Sequence, residues 1–137
     1  MKIFVLDDEL HSGGLEQRDQ LKTVLAGHNL TLATSCEDGK AKFNPPYDLM
    51  LLDYDMEGVF GPADHPNTGL QFVKWMVTVK QPAPLPQIVL HSVNGKNRAK
   101  MAEVLDEYGI HYIEFPFNKK YVEFLKASFS LEQPVNS

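Results

Sequence analysis

The 137-residue chain contains one cysteine and two arginines, and each scarcity closes off a class of function. Cys36 alone cannot form an internal disulfide or build a cysteine-rich zinc site, so it reads as a small, half-buried side chain. Arg18 and Arg98 are the only guanidinium groups among 13 basic and 18 acidic residues, for a formal net charge of −5. The clustered positive charge that displaces counterions from a nucleic acid is therefore missing, and no nucleic-acid surface is expected. No apolar run reaches the ~18 residues that span a bilayer. The start, Met1–Glu9, turns acidic too early for a secretory signal, so a cytoplasmic location is expected.

What is present is one domain's worth of core, since 43% of the residues are hydrophobic and need no metal or disulfide staple. The charge is uneven along the chain. Residues 1–69 carry 5 basic and 12 acidic side chains, and residues 70–137 carry 8 and 6. Five short apolar runs recur: Lys2–Leu6, Leu30–Ala33, Asp48–Leu52, Gln87–His91 and Tyr112–Phe115. They are too short for helices and too continuous for strands with one wet face, which is how buried parallel strands read.

Helical spacing fills the intervals. Leu15, Leu21, Val24 and Leu25 form one stripe, Leu70, Val73, Trp75 and Val77 a second, and Met101, Val104, Leu105 and Tyr108 a third that Gly109 closes. Tyr121–Phe129 reads as a terminal helix with Val122, Leu125 and Phe129 inward, and Cys36–Phe43 carries the faintest helical signal. Alternating strands and helices predict an α/β fold, a five-stranded parallel sheet of order 2-1-3-4-5 in a flavodoxin-like three-layer sandwich. Ligands then bind at the carboxyl ends of the first and third strands, beside the topological switch point.

That edge receives Asp7-Asp8-Glu9 from the first strand and Asp53-Tyr54-Asp55 from the third. Carboxylates gathered this closely repel one another unless a cation sits among them, and hard oxygen donors suit Mg²⁺ (or Mn²⁺) shared with a phosphate. Asp7, Asp8, Asp53 and Asp55 are the candidate metal ligands; solvated strand ends or helix caps are the plain structural alternative. The fourth strand adds His91-Ser92-Val93-Asn94-Gly95, followed by Lys96, Arg98 and Lys100. There Ser92, Asn94 and Gly95 are candidate phosphate contacts, with a cap and turn as the structural alternative. Between these segments, Tyr54–Asn67 is long enough to act as a lid, with Asp64 and His65 on it, and Gln81–Pro86 reads as a rigid connector. Trp75, Phe43, Phe72, Phe117, Phe124 and Phe129 read as core or interface, and His28 and His111 as surface residues.

Asp7-Asp8, Asp53, Ser92 and the Pro116-Phe117 step resemble the receiver domain of two-component response regulators, over nearly the whole chain. The resemblance implies one receiver-like domain over residues 1–131 with a frayed tail at 132–137. It also implies Mg²⁺ held by the acidic pair, the phospho-accepting Asp53 and the Asp55 carbonyl, with Ser92 on the phosphoryl group and Tyr112 as switch aromatic. A phosphodonor and a signalling protein would be the partners. One position departs from that pattern: the receiver's Lys before the Pro is Phe115, with Lys119 and Lys120 nearby.

A more specific resemblance is to the cyclic-phosphate-processing receiver-like domains, carried by Leu6-Asp7-Asp8, Asp53-Tyr54-Asp55, Thr68-Gly69 and His91-Ser92-Val93-Asn94, with Gly95, Asn97 and Met101. That family often has Arg after its acidic pair, where this chain reads Glu9-Leu10-His11. It implies Mg²⁺-dependent processing of a cyclic phosphate or phosphodiester by Asp53, His91 and Ser92. Asp53 or Asp55 would orient or deprotonate water, His91 would protonate the leaving oxygen, and Ser92 and Asn94 would hold non-bridging oxygens. Covalent attack by Asp53 is the other route. Asp53-Tyr54-Asp55 alone also resembles the nucleophile motif of haloacid-dehalogenase-type phosphatases, which need a later acidic pair; here the pair comes earlier.

Overall fold

Hydrophobicity without alternation marks the middle of the sheet. In the computed structural model, which describes residues 1–8, 16–54, 67–92, 95–116, 118, 120–129 and 131, β1 (Lys2–Leu6), β3 (Leu49–Leu52) and β4 (Gln87–Leu90) are buried along almost their whole length. β2 (Asn29–Ala33) and β5 (Ile113–Glu114) form the edges, and all neighbours run parallel in the order β2-β1-β3-β4-β5. The edges correct one reading of the sequence. β2 is only half-buried, with Leu30 exposed, and β5 is two residues long with both side chains exposed. An apolar run on an edge strand keeps one side wet, which composition alone does not reveal.

Side chains alternate across the sheet and so separate two cores. Phe4, Leu6, Met50, Leu52, Ile88 and Leu90 pack against α2 (Cys36–Lys42), α3 (Gly69–Met76) and α4 (Gly95–Glu107). Ile3, Val5, Leu49, Leu51 and Val89 pack against α1 (Glu16–Leu25) and α5 (Tyr121–Phe129). The first core has an aromatic heart, in which Phe4 stacks on Phe72 at 5.3 Å and Phe43 meets Trp75 edge-on at 5.5 Å. Phe124 and Phe129 border the second core, so Phe43, Phe72, Trp75, Phe124 and Phe129 are packing material, and Phe117 lies outside the described residues.

Local chemistry explains the helices. α2 forms in spite of its faint pattern because Ser35 caps it: the Ser35 hydroxyl accepts from Asp38 N at 3.0 Å and Asp38 Oδ2 accepts from Thr34 N at 3.0 Å. Asn67 Oδ1 also accepts from Cys36 N at 2.9 Å, and Cys36 is fully buried where half-burial was expected. Burial raises its thiol pKa. On α3 the inward stripe is Leu70, Phe72, Val73 and Met76, with Trp75 and Val77 half-buried beside it. On α4 Tyr108 lies beyond the last turn and is exposed, and Gly109 closes the helix at φ +67°, a left-handed conformation that favours glycine. Several expected features lie outside the described residues: Leu15, Asp55, the lid with Asp64 and His65, Asn94, Lys119 and the tail at 132–137.

Candidate functional site

The backbone ladder continues one residue past each central strand and there aligns the chemistry. Asp7 N donates to Ala33 O at 3.0 Å, Asp53 N to Leu6 O at 2.9 Å, His91 N to Leu52 O at 2.9 Å and Phe115 N to Leu90 O at 3.1 Å. Leu6, Leu52 and Leu90 are in register, so Asp7, Asp53 and His91 stand side by side in the next row at the carboxyl edge. By alternation their side chains share the face of Val5, Leu51 and Val89, toward α1 and α5.

Asp7 and His91 are each 1% exposed, and His91 Nε2 lies 2.9 Å from Asp7 Oδ2. The other ring nitrogen, Nδ1, lies 2.9 Å from the hydroxyl of Tyr121 on α5. Tyr121 is fully buried and meets the imidazole edge-on at 5.3 Å between ring centres. Burial, followed by the negative charges of Asp7 and Asp53, pushes its phenol well above the ordinary range. Phe115 fills the end of the row, stacked on Phe124 at 4.3 Å between centroids.

Asp53 is half-buried and its Oδ1 accepts from Tyr54 N at 2.8 Å. Its backbone is pressed against the start of α3. Gly69 N donates to Tyr54 O at 2.7 Å, and a Cβ on Gly69 would stand 1.8 Å from Asp53 O. Only glycine permits that approach. Thr68 is buried and caps α3, its hydroxyl accepting from Gln71 N at 3.2 Å. The Thr68-Gly69 pair therefore has a mechanical reason: it seats a helix directly behind Asp53.

Donor atoms of Asp7, Asp53 and His91 all lie within 4.8 Å of one another, the grouping that could hold a metal among the described residues. Asp8 follows as a half-buried residue outside that grouping, and Asp55 lies outside the described residues. The fit to a metal comes from the two carboxylates. Both imidazole nitrogens already face Asp7 and Tyr121, which leaves an oxygen-donor pair of the kind that suits Mg²⁺ with several retained waters.

Ser92 is 2% exposed, and its carbonyl accepts from Arg98 Nη1 at 2.6 Å. Arg98 Nε also pairs with Glu114 Oε1 at 3.1 Å, so this cation braces the β4–α4 turn against β5. Gly95 begins α4 and is exposed. Tyr112, just before β5, donates to Asp106 Oδ2 at 3.1 Å; burial and then that bond raise its phenol pKa.

A profile of the cyclic-phosphate processing receiver domain matches residues 1–107, which include Asp7, Asp53, Thr68, Gly69, His91 and Ser92. The chain belongs to that family. Two solved structures share the receiver's fold. A CheY-like response regulator receiver domain protein from Methanospirillum hungatei is 20% identical, with a TM-score of 0.53 over 95% of this chain and 92% of its own. A response regulator receiver protein from Pseudomonas putida is 17% identical, with a TM-score of 0.52 over 92% and 95% respectively. Comparison with curated proteins returns no match. No helix among the described residues is long and apolar enough to cross a membrane.

Sequence reasoning missed Tyr121 in this receiver. The signal was available, because Tyr121, Leu125 and Phe129 recur every four residues on the inward side of the last helix. Nothing in that pattern told a hydroxyl aimed at a histidine from one more core ring.

Proposed function

We propose that this receiver opens a cyclic phosphate or related phosphodiester at the Asp7–Asp53 edge in a Mg²⁺-dependent (or Mn²⁺-dependent) reaction. The observation that carries the reading is the row itself, with carboxylates from two neighbouring strands side by side and His91 in reach of both. Asp7 and Asp53, with Asp8 and Asp55 beside them in sequence, would hold the ion. When bound, it supplies charge neutralisation at the phosphodiester and a lowered pKa for the attacking water.

The chain's own groups do the rest. Asp53, the more accessible of the two carboxylates, orients the water and takes its proton as the oxygen bonds phosphorus. The P–O bond to the ring oxygen breaks, and the carboxyl returns the proton to the departing oxygen. One water is consumed and a phosphomonoester remains. Ser92, Asn94 and the start of α4 at Gly95 hold the non-bridging oxygens. His91 keeps its proton on Asp7 and supports turnover by holding that carboxylate. Direct protonation of the leaving oxygen by His91 would require Nε2 to let go of Asp7. Attack by Asp53 itself, followed by hydrolysis of the acyl phosphate, yields the same product. The substrate is a phosphate-containing small molecule in the cytoplasm, and Tyr112 is the candidate switch aromatic that would report the reaction to a signalling partner.

Phosphodonor labelling separates the enzyme from a phosphoacceptor. With Mg²⁺ and acetyl phosphate, the hydrolase reading predicts no lasting adduct by intact mass. A stable phosphoryl gain lost in Asp53→Asn would make the protein a response-regulator-type switch in a phosphorelay. Phe115 in the row argues against that outcome, because it brings a stacked ring where the switch pairs a lysine with the phosphoryl group.

A further inference from the structure

The hydroxyl of Tyr121 belongs to α5, beyond the residues that match the family profile, yet it ends inside the site. We propose that Tyr121 is a positioning residue: its hydroxyl donates to His91 Nδ1, fixes the imidazole proton on Nε2, and so holds Asp7 in the orientation in which it serves the site. The consequence for metal affinity rests on the functional reading given above; the hydrogen-bond chain itself does not.

Three observations carry the inference. The chain Tyr121 Oη, His91 Nδ1, His91 Nε2, Asp7 Oδ2 is unbroken, with both links at 2.9 Å. All three residues are at most 1% exposed, so water does not compete for either link. The donor inventory then sets the direction. A carboxylate at Asp7 only accepts, so the nitrogen facing it carries the proton, and a phenol hydroxyl, which can donate, is matched by a bare nitrogen on the other side of the ring. The phenol is well placed to be that donor, since burial and the two nearby carboxylates keep it protonated. The ring is also fixed sideways, by the edge-on contact with Tyr121 on one side and by its own backbone, tied to Leu52 O, on the other.

A hydrogen bond of this kind behind a ligand is a small part of a site with a measurable effect. Removing the partner that orients a ligand costs roughly 10–100-fold in metal affinity. Here Tyr121 acts one residue further back, through His91 onto Asp7, so the lower end of that range, about tenfold, is expected.

Long-range proton–nitrogen NMR of the His91 ring is the direct readout, with Mg²⁺ titration alongside. In the wild type the ring is expected to show Nε2 protonated and Nδ1 bare, and Tyr121→Phe to mix the two tautomers. The same variant should bind Mg²⁺ about tenfold more weakly. In His91→Gln, whose amide donates to Asp7 with no tautomer to set, adding Tyr121→Phe should change Mg²⁺ affinity by less than about twofold. A wild-type ring protonated at Nδ1, whether neutral or as imidazolium, would overturn the proposal. So would a Tyr121→Phe ring indistinguishable from wild type, or a full further loss of affinity in the His91→Gln background. A wild-type chain that binds no Mg²⁺ would instead overturn the metal-dependent reading, and the tautomer measurement would still decide the role of Tyr121.

Discussion

Asp7 and His91, 84 residues apart in the chain, meet at 2.9 Å inside the protein, each 1% exposed. Parallel strands bring this about. Asp7 directly follows β1 and His91 directly follows β4, with only β3 and the Asp53 that follows it between them, so residues from distant parts of the sequence land in one transverse row. The pair is both a stabilising contact and part of the site.

Breaking that pair is expected to be costly. His91→Ala leaves the Asp7 carboxylate buried without its ring partner, and removing one partner of a buried hydrogen bond costs about 1–3 kcal/mol, more where the remaining group is charged. Urea unfolding of the variant checks this. A loss below about 1 kcal/mol, the size typical of an exposed pair, would mean that water reaches Asp7.

Much of this was readable in advance, for physical reasons. Buried parallel strands must be apolar on both faces, so β1, β3 and β4 announce themselves in Phe4, Met50 and Val89, and the residues that follow them, Asp7, Asp53 and His91, must share an edge. The edge strands were harder. β5 has two residues and exposed Ile113, and its pairing depends on neighbours that composition does not show. The direction of polar side chains was also out of reach. Arg98 follows the candidate phosphate contacts in sequence, but it is committed to the Ser92 carbonyl and Glu114, and the Tyr121 hydroxyl was hidden in an apolar stripe. Such choices are settled by three-dimensional proximity, on which sequence spacing is silent.

The seating of α3 against Asp53 makes Gly69 intolerant of any side chain. In Gly69→Ala the new methyl would meet Asp53 O, and backbone on both sides has to move. Overpacking of this kind costs about 1–3 kcal/mol, and more when only backbone can yield. A lowered melting temperature together with shifted amide resonances at Asp53 and Tyr54 is expected. An unperturbed Asp53 amide would show that the helix has room to retreat.

Alkaline stability follows from Tyr121. Its folded pKa is raised above the unfolded value of about 10, so its contribution is fully present below about pH 10 and is lost as pH rises through the folded pKa. Denaturant unfolding across that window should show the wild type losing stability more steeply than Tyr121→Phe. Tyr112 shifts in the same direction and remains in both proteins, so the difference between the two curves isolates the buried phenol.

The cap on α2 offers a mild control remote from the site chemistry. Ser35→Ala removes the acceptor for Asp38 N and is expected to cost about 1 kcal/mol. Hydrolysis of the substrate should be unchanged once both proteins are compared well below their melting temperatures.

The reaction itself is tested most directly by phosphorus NMR of a panel of cyclic phosphodiesters incubated with the protein and Mg²⁺. The wild type is expected to convert at least one of them to its phosphomonoester, with conversion abolished by chelation of the metal and by Asp53→Asn. A panel left intact by the wild type, or turnover that persists in Asp53→Asn, would contradict the assignment of the Asp7–Asp53 edge as a phosphodiester-opening site.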